Sequence, residues 1–142
     1  MNFQARARSV SALAILTLTL SAATLAATEP AYNPSTVTSV SGVIAAISDI
    51  SSGQGMDGMH VTLRTKTGTV EVYLAPRDFL NFLRVNIAVG DELDVIGSQV
   101  SSGAGSTILA RVVSDGRTSI ELRDALGAEV WKHWGSTLTK TS

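Results

Sequence analysis

Between residues 59 and 74 the apolar and polar positions alternate, pause and alternate again. Met59, Val61 and Leu63 share one side of an extended chain, and so do Val70, Val72 and Leu74, because successive side chains of a strand point to opposite faces. The run HVTLRTKTGTVEVYLAP, residues 60–76, therefore predicts a β-hairpin that stops at Pro76. A turn centred on Thr67-Gly68 pairs Leu63 with Val72 and Val61 with Leu74 on the inner face. The same register sets Arg64 opposite Glu71 and Thr62 opposite Tyr73 on the outer face. Opposite charges directly across two strands contribute up to about 1 kcal/mol. A slip of one residue would put the valines in water and an arginine in the core.

Strands are also expected at 39–48, 92–100, 107–114 and 118–123. Gly42, inside the first of them, predicts a bulge or a sharp bend. Gly- and Ser-rich loops are expected at 49–58 and 101–106, and turns at Gly90-Asp91 and Asp115-Gly116. After Pro76 the spacing changes. Phe79, Leu80, Phe82 and Leu83 lie at i, i+1, i+3 and i+4, one apolar stripe on a short helix within 77–85. Asp78 favours its first turn and Arg84 its last. Residues 124–134 hold one short helix or an extended piece ending near Trp134, and 135–142 read as a disordered tail.

The order is three strands, a short helix, two strands and an extra strand. It predicts an all-β domain with one short helix: a small OB-fold-like, five- to six-stranded antiparallel barrel. The helix falls between strands three and four, and Phe79 and Phe82 plug one end of the barrel. The bent first strand closes it. A plain antiparallel sandwich would not require the helix at that place.

The first residues follow another logic. Arg6 and Arg8 precede an apolar run at 10–20 and then small residues, the pattern of a secretory signal peptide with a cut near Ala26. No twin arginine is present, so a Sec-type route is expected. The alternative is an uncleaved anchor, because the uncharged stretch 9–28 is about a bilayer long. The expected organisation is a signal peptide at 1–26, a Pro-containing linker at 27–38, an OB-fold-like domain at 39–134 and the tail at 135–142. The mature chain is one domain in the periplasm or secreted, with no transmembrane segment after cleavage.

Composition narrows the chemistry. The chain has no cysteine, so packing must stabilise it without disulfides. Eleven basic side chains stand against 12 acidic ones, and losing Arg6 and Arg8 makes the balance more acidic. That argues against nucleic acid as a partner. Two histidines, His60 and His133, fall short of a zinc site, which needs three or four ligands. Asp49 and Asp57 lack the glutamate spacing of a calcium loop. There is no G-x-S-x-G, and SSGQG and SSGAG lack the Lys-Ser/Thr ending of a phosphate loop. A non-enzymatic protein without metal or cofactor is expected.

Three stretches carry a family resemblance: GMHVTLRTKTGTVEVYLAP, GDELDVIGSQV and ILARVVSDGRTSIELRDALGAEVW. Over about 40–131 the chain resembles exported OB-fold-like domains of the magnetosome-associated MamS/MamX type. The matching positions are Gly58, His60, Pro76, Gly90-Asp91, Gly97, Leu122-Arg123-Asp124, Gly127 and Trp131. It departs at Tyr73, where the pattern has a histidine, at Ala75, where it has a glycine, and at Glu129, where it has a proline. The missing second histidine weakens a metal role. The resemblance implies the fold and export but no reaction.

OB-folds bind on the face of strands two and three, flanked by the loops after strands one and four. Here that face offers His60, Thr62, Arg64, Glu71 and Tyr73, expected to line a shallow polar cleft; the alternative is a solvated sheet face. Arg123, Asp124 and Trp131 form a possible docking patch, or else Asp124 and Gly127 make a turn while Trp131 folds back on the barrel seam. The expected role is to bind an envelope protein segment or a small ligand. The alternatives are an oligonucleotide- or polyanion-binding domain and a metal-handling accessory protein.

Overall fold

The computed structural model describes residues 31–51, 55–102 and 105–134. The expected signal peptide and tail, and the middle of each Gly-rich loop, lie outside those residues. Six strands and one helix follow in order: β1 (Val37–Ile50), β2 (Gly58–Thr65), β3 (Gly68–Tyr73), α1 (Arg77–Phe82), β4 (Glu92–Ser102), β5 (Gly105–Ser114) and β6 (Ser119–Glu121). β1 pairs with β4 through Val37–Val43 and with β2 through Val43–Ile50, so one long bent strand serves two halves of the sheet. β2 pairs with β3, β4 with β5, and β6 with the C-terminal end of β5, Val112–Ser114. A parallel seam closes the barrel, with Glu71, Val72 and Tyr73 of β3 against Thr107, Ile108 and Leu109 of β5. This is the five-stranded OB-type barrel with an extra strand and a helix between β3 and β4. All its pairings but that seam are antiparallel.

The core is the set of inward positions that the alternation specifies. Val61, Leu63, Val72, Leu74, Leu93, Val95, Ile108 and Ala110 are buried together, with Phe79 and Leu80 of α1 against them. Burying each large aliphatic side chain contributes about 1.5–3 kcal/mol, the main stabilising term in a domain without disulfides.

Four expectations need correction. The hairpin register is two residues away from the expected one: Val61 faces Val72, Leu63 faces Val70, Thr62 faces Glu71 and Arg64 faces Thr69. The turn is Lys66-Thr67, closed by Thr65 against Gly68, because the Thr65 hydroxyl accepts from the Thr67 amide and donates to the Gly68 carbonyl. No Arg64–Glu71 rung forms. Second, the bulge in β1 lies between Ile44 and Ala46, past Gly42. Gly42 instead allows a close crossing, since a Cβ there would stand 2.6 Å from the Arg64 carbonyl oxygen.

Third, Phe82 does not plug the barrel. It is 60% exposed, while Phe79 and Leu80 are buried. The buried side of α1 is centred between Phe79 and Leu80, and at about 100° per residue Phe82 lies about 110° away from that centre. The helix ends in a Schellman pattern, with the Val85 amide on the Leu80 carbonyl and the Arg84 amide on the Asn81 carbonyl. Arg84 takes the left-handed position there with φ 57°, which costs a non-glycine residue about 1–2 kcal/mol. Fourth, the described part of the expected linker is docked. Asn33 caps a 3-10 turn at Pro34–Thr36, its amide donates to Ser98 Oγ, and β1 starts at Val37. The strands flanking both loops are longer than expected, so β4 and β5 stay paired as far as Ser102 and Gly105.

Candidate functional site

The structure divides the expected cleft in two. His60 and Tyr73 sit directly opposite each other on β2 and β3, with rings stacked at 5.0 Å. Both point outward from the barrel, yet both are buried, His60 to 5% exposure. Met56 and the C-terminal segment cover them. The His60 ring holds the Met56 carbonyl at 2.7 Å; a carbonyl only accepts, so Nε2 carries the proton. The Tyr73 hydroxyl donates to the Asp57 carbonyl at 2.9 Å. Trp131 meets Tyr73 edge-on at 6.2 Å, and the Arg123 guanidinium lies over both rings, 5.1 Å from Tyr73 and 4.7 Å from Trp131. A second small core results on the outside of the barrel, with Val100 and Leu109 beneath the rings.

Arg123 is 1% exposed and donates through one nitrogen to the carbonyls of Leu74 and Ala110. Those residues are the next pair of the β3–β5 seam after Tyr73 and Leu109, so the guanidinium supplies the rung that follows the last backbone pair. Asp124 next to it holds its own turn, with Oδ1 accepting the amides of Leu126 and Ala128. The two halves of the expected sites, His60/Tyr73 and Arg123/Trp131, are thus one structural stack, and Asp124 closes the loop beside it.

Thr62, Arg64 and Glu71 remain on the accessible part of the hairpin, where the Thr62 hydroxyl donates to the Glu71 carboxylate. Arg64 belongs to another feature. N-terminal to Val43, β1 is paired only on its β4 side, so among the described residues the other edge of Val37–Gly42 has no strand partner. The C-terminal end of that edge, at Ser41 and Gly42, opens on a groove of about 450 Å³ whose walls carry Arg64 and Lys66 of the hairpin tip and Glu92 and Asp94 of β4. None of these four charges forms an ion pair among the described residues.

Sequence reasoning missed a second concavity, about 230 Å³, between the chain after α1 and the β5–β6 turn. Leu80, Leu83, Val85 and Ile87 form one wall; Leu93, Val113, Ile120 and Leu122 form the other. Arg84, Asn86, Asp115 and Thr118 stand around it. The signal was a period-two apolar pattern at 83, 85 and 87, outside any strand. Asp115 Oδ1 accepts the amides of Thr118 and Arg117, and these bonds hold its carboxyl below the usual carboxylate range.

Among the described residues no three His, Cys, Asp or Glu side chains gather where they could hold a metal ion, and no helix is long and apolar enough to cross a membrane. No curated protein matches the chain. A crystal structure of the S. pombe Stn1–Ten1 complex matches at 19% identity with a TM-score of 0.40, over 75% of this chain and 79% of that chain. At that likeness the strand order, and not the match, carries the fold. The model of the MamS/MamX magnetosome protein family matches residues 36–120, from the start of β1 into β6, which is more than half of the sequence: the chain belongs to that family.

Proposed function

We propose that this protein is an exported, non-enzymatic binding module of the cell envelope, and that it takes an extended segment of a partner protein as an added strand along the open edge of β1. The observation that carries this is the unpartnered edge at Val37–Gly42, which ends at Ser41 and Gly42 on a groove with four charges that form no ion pair among the described residues. A row of unpaired amides and carbonyls is a template for another strand, and strand addition gains affinity from the main chain and specificity from flanking side chains. The mixed signs along the groove suit a partner with both charges. They do not suit a polyanion: two cations there face two carboxylates, and the hairpin's two rings, His60 and Tyr73, are buried where no base could stack on them.

The test is photo-crosslinking in cells. A benzoylphenylalanine replaces Ser39 or Ser41, both exposed on β1, or Glu121 on β6 as a remote control. The proposal expects a discrete protein adduct from the β1 positions and not from Glu121. Charge reversal by Arg64→Glu with Lys66→Glu should weaken it. Adducts of equal strength at all three positions, or none on β1, would remove the β1 edge as the site. The mass of the protein recovered from the same cells reports export, with Ala27 as its first residue.

A further inference from the structure

The aliphatic concavity between the post-helix chain and the β5–β6 turn is not used by strand addition. Every apolar side chain that lines it is Leu, Ile or Val. No aromatic ring is available to stack on a planar ligand, so the walls fit a saturated chain. At about 230 Å³ it exceeds the roughly 150 Å³ of an apolar cavity known to accept benzene. Its lining, apolar with few polar groups, is that of small-molecule sites, at a size for a small ligand.

The charges at its mouth decide the other end of the ligand. Asp115 is already engaged: its carboxylate accepts two amides of its own turn and has Arg117 nearby. Arg84 is exposed and forms no ion pair among the described residues. It also holds the helix-terminating left-handed position that glycine fills at lower cost. A long cation on a strained backbone at the rim of an apolar cavity is placed to meet the charged end of a ligand.

We propose that this cavity binds a single-chain aliphatic monocarboxylate, with the alkyl tail between Leu83, Val85, Ile87 and Ile120 and the carboxylate on the Arg84 guanidinium. Arg84 supplies a fork of donors that matches a carboxylate. The site is separate from the β1 edge and stands or falls independently of it.

The experiment titrates methyl-labelled protein, as recovered from cells, with octanoate, 1-octanol and octylamine, followed by NMR. Octanoate should shift the methyl signals of Leu83, Val85 and Ile87 in a saturable way and bind about tenfold more tightly than octanol, the scale of one charge-assisted contact. Octylamine should bind more weakly than octanol. Arg84→Gln should bring octanoate down to the octanol level and leave octanol unchanged. Arg84→Gly relieves the left-handed strain, so it keeps the fold while also losing the octanoate preference. Absence of saturable shifts at those methyls overturns the proposal. Equal binding of octanoate and octanol, or a preference that survives Arg84→Gln, overturns it as well.

Discussion

Replacing Arg123 tests whether a side chain completes the barrel. The guanidinium is 1% exposed, bridges the Leu74 and Ala110 carbonyls, and lies within 5.1 Å of the Tyr73 ring and 4.7 Å of the Trp131 ring. Arg123→Met keeps length and apolar bulk but removes the donor to both carbonyls. Leaving each buried acceptor unmatched costs about 1–3 kcal/mol. Loss of the ring contacts adds about 0.5–2 kcal/mol. Relief of the buried charge offsets part of this. The net expectation is a loss of about 2–4 kcal/mol, large against the roughly 5–15 kcal/mol that holds a domain folded. Urea unfolding followed by tryptophan fluorescence reads it directly. With a slope near 1.5 kcal/mol per molar, the midpoint falls by about 1.3–2.7 M. Arg123→Lys is the sharper probe. It keeps the charge, and its ammonium can donate to both carbonyls as one Arg123 nitrogen does, but it has no plane to lay on the two rings, so it should fall between wild type and the Met variant. A Met variant within about 0.5 kcal/mol of wild type, or a Lys variant no more stable than the Met variant, would refute the seam-rung argument.

Two further outcomes follow from geometry. Gly97 crosses β5 so closely that a Cβ would stand 2.8 Å from the Leu109 carbonyl carbon; Gly97→Ala should cost about 2–4 kcal/mol, measured by the same unfolding assay, and a neutral result would contradict the close crossing. Asp115 has a lowered pKa, so its contribution to the β5–β6 turn is complete above the ordinary value of 3.8 and is lost only as pH falls through the lower folded value; the amide shifts of Arg117 and Thr118 should show their inflection below 3.8, and one above it would contradict the capping bonds.

The sequence was informative wherever a hydrophobic face was at stake. Every inward residue of the hairpin is inward in the structure, because an odd slip would expose Val61, Leu63 and Val72 together. A slip of two is different. It returns each side chain to its own face, so the apolar pattern is equally well satisfied and cannot select a register. What selects it is local: the Thr65 hydroxyl spans the turn with two hydrogen bonds, and His60 comes directly against Tyr73. Those contacts outweigh the exposed Arg64–Glu71 pair that charge patterning favoured, a pair worth little in water. Phe82 failed for a related reason. Over six residues an apolar stripe is too short to show which neighbour lies outside the buried arc.

The candidate site was legible only in part, because facing outward is not the same as being exposed. His60 and Tyr73 obey the strand alternation and point away from the barrel, but Trp131 and Arg123, some 50 to 70 positions later, return to cover them. No periodicity within the hairpin could report a cover that comes from so far along the chain. The parallel seam explains why the cover exists. Only three residue pairs close the barrel between β3 and β5, and Arg123 with its stacked rings extends that closure on the outside. The side chains that could have made a stacking platform are spent on holding the barrel shut. The accessible chemistry is therefore displaced to two places that strand periodicity does not mark: the unpaired edge that β1 leaves where it bends from β4 to β2, and the aliphatic walls that the short α1 leaves uncovered.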